Sequence, residues 1–304
     1  MIIAFLGLGL MGLPMAGHLV KTGYSLQLYN RSIEKADTLV KQGATAYKTP
    51  YDAVKNADII ISMLENEHIQ EHVLINPQTL KHCKANALII DMGSISPETA
   101  KQHEQTAKQY QLRYIDAPVS GGTRGAEQAQ LVIMAGARKE DLAQAKPIFA
   151  KLSSQIVHIG PVGSGQIAKC ANQALVGITI SAVSEALLLA KEAGADPHAV
   201  REALLGGFAQ SKVLDQHGER MLSRDFIPGG TAKVQHKDLT NILRCAKTNN
   251  LTMPLTSAVI EQYQQLLEMG HENLDHSALL LQLEATNQTT LSSDDDKGAI
   301  QHEI

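Results

Sequence analysis

Glycines 7, 9 and 12 stand in a G-x-G-x-x-G spacing, directly after the apolar run Ile2–Leu6 and at the start of a helix-like segment, 13–22. In a strand–turn–helix setting each glycine has a separate physical task. Gly7 permits the tight turn, Gly9 lets backbone approach a pyrophosphate, and Gly12 lets helix and strand pack closely, while the helix N-terminus faces the phosphates. Leu8, Leu10 and Met11 complete that loop. Three glycines in six residues recur by chance, so it is the context that points to a dinucleotide.

The end of the second apolar run selects between dinucleotides. An acidic residue there would bind the ribose hydroxyls of NAD and repel a 2′-phosphate. Asn30-Arg31-Ser32 stands there instead. Asn30 keeps a hydrogen-bonding side chain without the charge, and Arg31 can pair with a phosphate and stack on adenine. NADP(H) is therefore expected over NAD(H), with dual use open and a solvent-facing Arg31 as the plainer reading. Ser62-Met63-Leu64 and Asp91-Met92-Gly93-Ser94 end two further runs, and ligands of open α/β sheets bind beyond such carboxyl ends. Met63, Leu64 and Ser94 are thus candidate cofactor contacts, although a serine after a strand is as readily a helix cap.

Hydride transfer to a carbonyl leaves an alkoxide that must take a proton, so a positioned acid/base is required. Lys169 lies one turn into a long helical pattern, just after a glycine-rich stretch where two domains would meet. Asn172 and Gln173 follow at i+3 and i+4 on the same face. Apolar neighbours (Ile167, Ala168, Cys170, Ala171) can lower a lysine pKa toward neutrality, and Asn172 can orient the reacting oxygen. A surface lysine on an amphipathic helix is the alternative. Ser120, Gly121 and Gly122, after Asp116-Ala117-Pro118-Val119, offer backbone N–H groups beside a hydroxyl, suited to a carboxylate, or form an ordinary tight turn. Lys237, followed by Asp238, could reach the cofactor from the second domain or be half of a solvated pair.

These residues need a scaffold. Strand-like runs at 2–6, 25–29, 59–63, 87–91 and 113–117 alternate with helix-like segments such as 13–22 and 33–42, which predicts a mostly parallel sheet with right-handed crossovers. Two more runs, 131–135 and 156–159, extend it. After Gly160 strand signals nearly vanish. One helical pattern runs from Gly165 to about Ala193, stopped by Gly194 and Pro197, and more follow at 198–205, 213–222, 233–248, 255–268 and 277–286. The fold expected is α/β, with a Rossmann-like domain over 1–162 and an all-α domain over 163–291 that opens on a long interdomain helix. Residues 292–304 are polar and acidic, and are expected to be a disordered tail.

Composition excludes other classes. Lys and Arg number 27 against 31 Asp and Glu, for a formal charge of -4, without the clustered cationic excess that nucleic acid demands. Three scattered cysteines suit neither a disulfide framework nor a metal site and suggest a reducing compartment. The most apolar stretch carries Ser181, Ser184 and Glu185, which argues against a membrane span, and no signal-peptide pattern opens the chain. A cytoplasmic protein acting on a small hydroxy or oxo carboxylate, without a catalytic metal, is expected.

Taken together, Phe5 to Met15, Asp116 to Gly122, Gly163-Ser164-Gly165 with Lys169 and Asn172-Gln173, and Lys237-Asp238 resemble the β-hydroxyacid dehydrogenases. This group includes 3-hydroxyisobutyrate dehydrogenases, tartronate semialdehyde (2-hydroxy-3-oxopropionate) reductases and glyoxylate/succinic semialdehyde reductases. The motifs occur in the family's order and span the chain to about Thr286. The resemblance implies Lys169 as catalytic lysine, Asn172 and the Ser120, Gly121, Gly122 loop at the substrate, Lys237 near the nicotinamide, and homodimers or homotetramers built on the long helix. Glu65 stands where the family commonly has proline. The stretch from Gly206 to Ser211 with Asp275-His276-Ser277 looks more like the tartronate semialdehyde type, but Phe208 and Gln210 depart from both patterns. An NAD-dependent 3-hydroxyisobutyrate dehydrogenase, an imine reductase, a 6-phosphogluconate dehydrogenase and a non-catalytic NADP(H)-binding protein are the alternatives.

Overall fold

The computed structural model describes residues 1–291; the expected tail over 292–304 lies outside them. Nine strands form one sheet: β1 (Ile2–Leu6), β2 (Ser25–Tyr29), β3 (Thr45–Tyr47), β4 (Ile59–Ser62), β5 (Leu88–Asp91), β6 (Arg113–Asp116), β7 (Val119–Ser120), β8 (Leu131–Gly136) and β9 (Ser153–Gly160). Their order is β3-β2-β1-β4-β5-β6-β8-β7, with β9 also on β8. Strands β1 to β6 pair in parallel, whereas β8 runs antiparallel to β6 and β7. The chain leaves β1 first toward β2 and β3 and later toward β4, so a switch point falls between β1 and β4. A crevice opens there at the carboxyl ends.

The helices between the strands are α1 (Gly12–Lys21), α2 (Asp37–Val40), α3 (Pro50–Ala53), α4 (Glu67–Val73), α5 (Pro77–Leu80), α6 (Pro97–Gln109), α7 (Gly122–Glu127) and α8 (Lys139–Phe149). They cover both faces of the sheet. Alternate residues of a strand point to opposite sides, so Ile3, Phe5, Ile59, Ile61 and Ile90 join one apolar cluster while Ala4, Leu6, Ile60 and Ile89 join the other. A strand covered on both sides must be apolar at every position, which explains the unbroken runs in the sequence. Each such side chain contributes roughly 1.5–3 kcal/mol by leaving water.

Contacts divide the chain into one unit over 1–172 and a second beginning at Gln173. The dividing point lies inside α9 (Ser164–Glu192), whose first two turns fold with the sheet. The second unit continues with α10 (Pro197–Leu205), α11 (Lys212–Ser223), α12 (Ala232–Thr248), α13 (Pro254–Glu268) and α14 (Leu279–Asn287). Its described residues are helical apart from turns, a 3-10 turn at His276–Ala278 and a lone bridge between Thr231 and Asp275. Leu187, Met221, Leu239, Tyr263, Leu266 and Leu280 are fully buried. By length and composition α9 could cross a membrane, but 56% of its most apolar window is buried inside the protein, as in a core helix.

The periods forecast most strands, α1 and α9 to α14 to within a residue or two, while α3 to α8 are not placed one by one, and three further differences stand out. The three-residue β3 and two-residue β7 are too short to carry a period. Segment 33–42 is a 3-10 turn (Ile33–Ala36) followed by the one-turn α2. Strand β9 runs from Ser153 rather than 156, because parallel pairing with β8 holds its polar first residues in the ladder.

Candidate active site

The glycine loop has the geometry its spacing implies. Gly7 sits at φ +100°, where a side chain is strained, and a Cβ there would fall onto the Met63 carbonyl oxygen and, at 2.9 Å, Leu64 Cδ2. A Cβ on Gly12 would strike the Gly7 carbonyl oxygen, so the start of α1 can seat against the loop only with glycine. Gly9 differs: a Cβ there would meet nothing within 4 Å. Space is left beside its backbone, and Leu10 next to it is 60% exposed. Helix α1 opens without a side-chain cap and without an acidic residue in its first turn, so its N-terminal N–H groups are suited to an anion. Glycines, open space and uncapped helix fit a dinucleotide pyrophosphate.

Asn30 braces this loop. Its Oδ1 accepts from Leu8 N at 2.9 Å and its Nδ2 donates to Ser32 O at 2.9 Å. Both ends of the carboxamide are engaged in holding the β2 end against the glycine turn, whereas Arg31 beside it is exposed. Along the same edge Met63 N donates to Leu6 O, and a Cβ on Gly93 would lie 2.7 Å from Leu64 O. The ends of β1, β4 and β5 thus lock together, with Met63, Leu64 and Ser94 half-buried along them.

Two buried residues then fix the start of α9. Asp116, at the end of β6, accepts from Gly163 N at 2.8 Å through Oδ1 and from Gln166 N at 2.9 Å through Oδ2. A carboxylate on helix-initiating N–H groups is favourable, yet burial outweighs those bonds and pushes its pKa up to about 7, with the neighbouring Asp91 adding to the rise. Gln166 donates to Gly93 O at 2.9 Å and accepts from Ile95 N at 3.3 Å. Behind them, Asp91 accepts from Gly93 N, Ser62 Oγ and Tyr114 OH. Burial, then the charges of Asp91 and Asp116, hold the Tyr114 phenol well above its ordinary range.

With α9 so anchored, its following turns meet β7, just after β6. Lys169 Nζ donates to Val119 O at 2.9 Å, and Ser120 Oγ donates to Asn172 Oδ1 at 3.3 Å. The amine, the amide and the hydroxyl expected to work together are therefore assembled in one unit, across 50 and 52 residues of chain. Gly121 (φ +136°) and Gly122 (φ +61°) take conformations that L side chains rarely adopt, and they lead into α7. Lys237 lies on α12 in the second unit, paired with Asp238 at 3.0 Å. Gln173, the first residue of that unit, donates to Asp238 Oδ2 at 2.9 Å and to Gln235 Oε1 at 3.0 Å.

Asp116 and Gln166 are positioning residues that the spacing left unassigned. Each had a signal: Asp116 is an acid closing an apolar strand, and Gln166 precedes Lys169 by three on the same helix face. Folding also joins His217 to Asp275 and His276, a cluster invisible in local spacing.

Comparison with known proteins agrees with this layout. A family model described as the NAD binding domain of 6-phosphogluconate dehydrogenase matches residues 2–160, and one described as the NAD-binding of NADP-dependent 3-hydroxyisobutyrate dehydrogenase matches 163–283. The chain is 40% identical over 283 residues to a 2-hydroxy-3-oxopropionate reductase of Escherichia coli, covering 93% of this chain and 97% of that protein. It is 33% identical to an NAD-dependent L-serine dehydrogenase of Pseudomonas aeruginosa, covering 91% and 96%. A solved 3-hydroxyisobutyrate dehydrogenase of Mycobacterium tuberculosis with L-serine superposes at a TM-score of 0.84 and 28% identity, covering 93% and 98%. Matched in both halves and along nearly its whole length, the chain belongs to the β-hydroxyacid dehydrogenase family and is an NAD(P)-dependent oxidoreductase.

Proposed function

We propose that the protein interconverts a small β-hydroxy acid and its aldehyde acid with NADP(H), tartronate semialdehyde being the substrate type favoured. The observation that carries this reading is the convergence of Lys169 and Asn172 of α9 on Val119 and Ser120 of β7. A protein that only binds the dinucleotide has no use for an amine held beside a hydroxyl and an amide. The 2-hydroxy-3-oxopropionate reductase relative supports the substrate type.

In this reading Gly7 to Gly12 bind the pyrophosphate, with Leu8, Leu10 and Met11 along the turn, and Met63, Leu64, Ser94 and Lys237 contact the rest of the dinucleotide. When bound, the reduced nicotinamide supplies the hydride. Ser120, Gly121 and Gly122 hold the substrate carboxylate by the hydroxyl and the N–H groups opening α7, which lack intrahelical partners. Asn172 orients the reacting oxygen. Lys169, held by Val119 O, gives its proton to that oxygen as negative charge develops, and takes it back in the oxidation direction. Asp116 and Gln166 act through α9 by fixing where Lys169 and Asn172 stand.

Arg31 favours NADP(H), being a cation at the β2 end with no acidic neighbour in the Asn30-Arg31-Ser32 turn. NAD(H) is the second reading, supported by the NAD-dependent relative and by Asn30, which carries no charge to select either way. Reduced-nicotinamide absorbance with NADPH and NADH in parallel tests both, against tartronate semialdehyde, glyoxylate, succinic semialdehyde and methylmalonate semialdehyde. Fastest turnover is expected with tartronate semialdehyde and NADPH. Faster turnover with NADH would overturn the cofactor assignment, and silence across the panel despite cofactor binding would overturn the substrate class.

A further inference from the structure

The helical unit brings together three side chains that the proposed reaction does not use. His217 on α11, and Asp275 and His276 in the turn before α14, each offer a ligand atom, all within 4.8 Å of one another. The two imidazole Nε2 atoms face each other at 3.2 Å, with the rings edge-on at 88°. Which nitrogens carry hydrogen is decided by what lies behind each ring.

The Asp238 carboxylate accepts, so Gln173 presents its NH2 to it. The Gln173 backbone carbonyl also only accepts, so Gln235 presents its NH2 there at 3.2 Å. Gln235 Oε1 is thereby turned toward His276 Nδ1 at 3.4 Å. An amide oxygen has no hydrogen to give, which places the proton on His276 Nδ1. Behind the other ring, His217 Nδ1 is buried and makes no hydrogen bond, but it lies 3.5 Å from Asp275 Oδ1, whose charge favours N–H on it. Both Nε2 atoms then present lone pairs to one another, an arrangement that repels unless a cation is shared.

Asp275 itself is committed. Its Oδ1 accepts from Ser277 N and Oγ, its Oδ2 from Gly229 N and Gly230 N, and Arg220 Nη1 stands 3.8 Å from Oδ2. It is built to orient a ring, as carboxylates behind metal-bound imidazoles do. Two Zn–N bonds of about 2.0–2.1 Å at a tetrahedral angle put the nitrogens roughly 3.3 Å apart, close to the spacing here. The His217 side chain keeps 16% of its surface exposed, so the pair is not sealed from solvent.

We propose that His217 and His276 bind one Zn²⁺ ion through their Nε2 atoms, with Asp275 and Gln235 orienting the rings and water completing the coordination. The test uses untagged, metal-stripped full-length protein titrated with ZnCl₂ by calorimetry, with Co²⁺ as a spectroscopic probe. One Zn²⁺ per chain is expected, and His217→Gln and His276→Gln should each weaken it at least tenfold while circular dichroism and dinucleotide binding stay unchanged. Bound Co²⁺ should show tetrahedral visible bands without thiolate charge transfer. Absence of saturable Zn²⁺ binding would mean that the pair shares a proton instead, and would overturn the proposal. So would a thiolate band, which would place the ion on Cys83, Cys170 or Cys245, or undiminished binding by the folded double variant. Should the variants unfold, the wild-type stoichiometry and Co²⁺ spectrum decide alone.

Discussion

At the scale of single residues, the proposed chemistry rests on Lys169. Its amine donates to a backbone carbonyl, Val119 O at 2.9 Å, and its side chain is half-buried. Lys169→Ala removes the proton carrier but leaves the glycine loop and the Asp116 anchor of α9 untouched. Turnover should fall by about 10²–10⁴-fold, with dinucleotide affinity, read by fluorescence titration, within about twofold of wild type. A loss of affinity equal to the loss of turnover would show that Lys169 holds the fold of the site rather than the proton. Lys169 and Asn172 are legible in the sequence because i,i+3 spacing on a helix is local. The carbonyl and hydroxyl they meet lie 50 and 52 residues away, and no local pattern encodes that meeting.

At the scale of elements, the glycines of the first turn separate folding from binding. On Gly9 a methyl group enters empty space, whereas on Gly12 it enters the Gly7 carbonyl oxygen. Gly9→Ala is therefore expected to unfold within about 2 °C of wild type while weakening dinucleotide binding at least tenfold, because the methyl takes room meant for the ligand. Gly12→Ala should lose both, with a Tm drop of several degrees from displacing α1 against the loop. Thermal melts with and without dinucleotide distinguish the two. If both variants melt and bind alike, the open space at Gly9 has no ligand role. The motif assigns these tasks, and the packed turn supplies the distances behind them: open space at Gly9, and backbone atoms against Gly7 and Gly12.

At the scale of the whole molecule, Asp116 makes stability depend on pH. In the unfolded chain it ionises near 3.8 and in the folded protein near 7. Between those values the folded state keeps a proton that the unfolded chain has released, so this group's contribution is fully present below about pH 4 and is lost as pH rises through 7. Asp116→Asn removes the titration and, by turning an NH2 toward a backbone N–H, costs about 1–3 kcal/mol at low pH. The Tm deficit of the variant should narrow from pH 4.5 to 7.5; a deficit constant across that range would contradict the raised pKa. Assembly is a second property of this scale. Leu175 and Leu189 on α9 are each 70% exposed, large apolar side chains on a helix that buries 56% of its most apolar window. With Ile167, also exposed on α9, they suit a surface buried in a homodimer or homotetramer, so light scattering should give at least twice 32.8 kDa. Leu175→Glu with Leu189→Glu should shift the mass downward, and a monomeric wild type would remove that reading.

The sequence by itself determined the alternation of strands and helices, the mostly parallel sheet, the dinucleotide turn and the long helix with its lysine. All of these follow from periods and steric demands that act over a few residues. Asp116 became an anchor for α9, Asn30 a brace for the glycine loop, and His217 a neighbour of His276 only in the tertiary structure. Each of those roles is a contact that a side chain makes with a group 22 to 59 residues away. Such contacts, and the burial that lifts the Asp116 pKa or engages both ends of the Asn30 amide, exist only once the sheet and the helical unit have each closed around them.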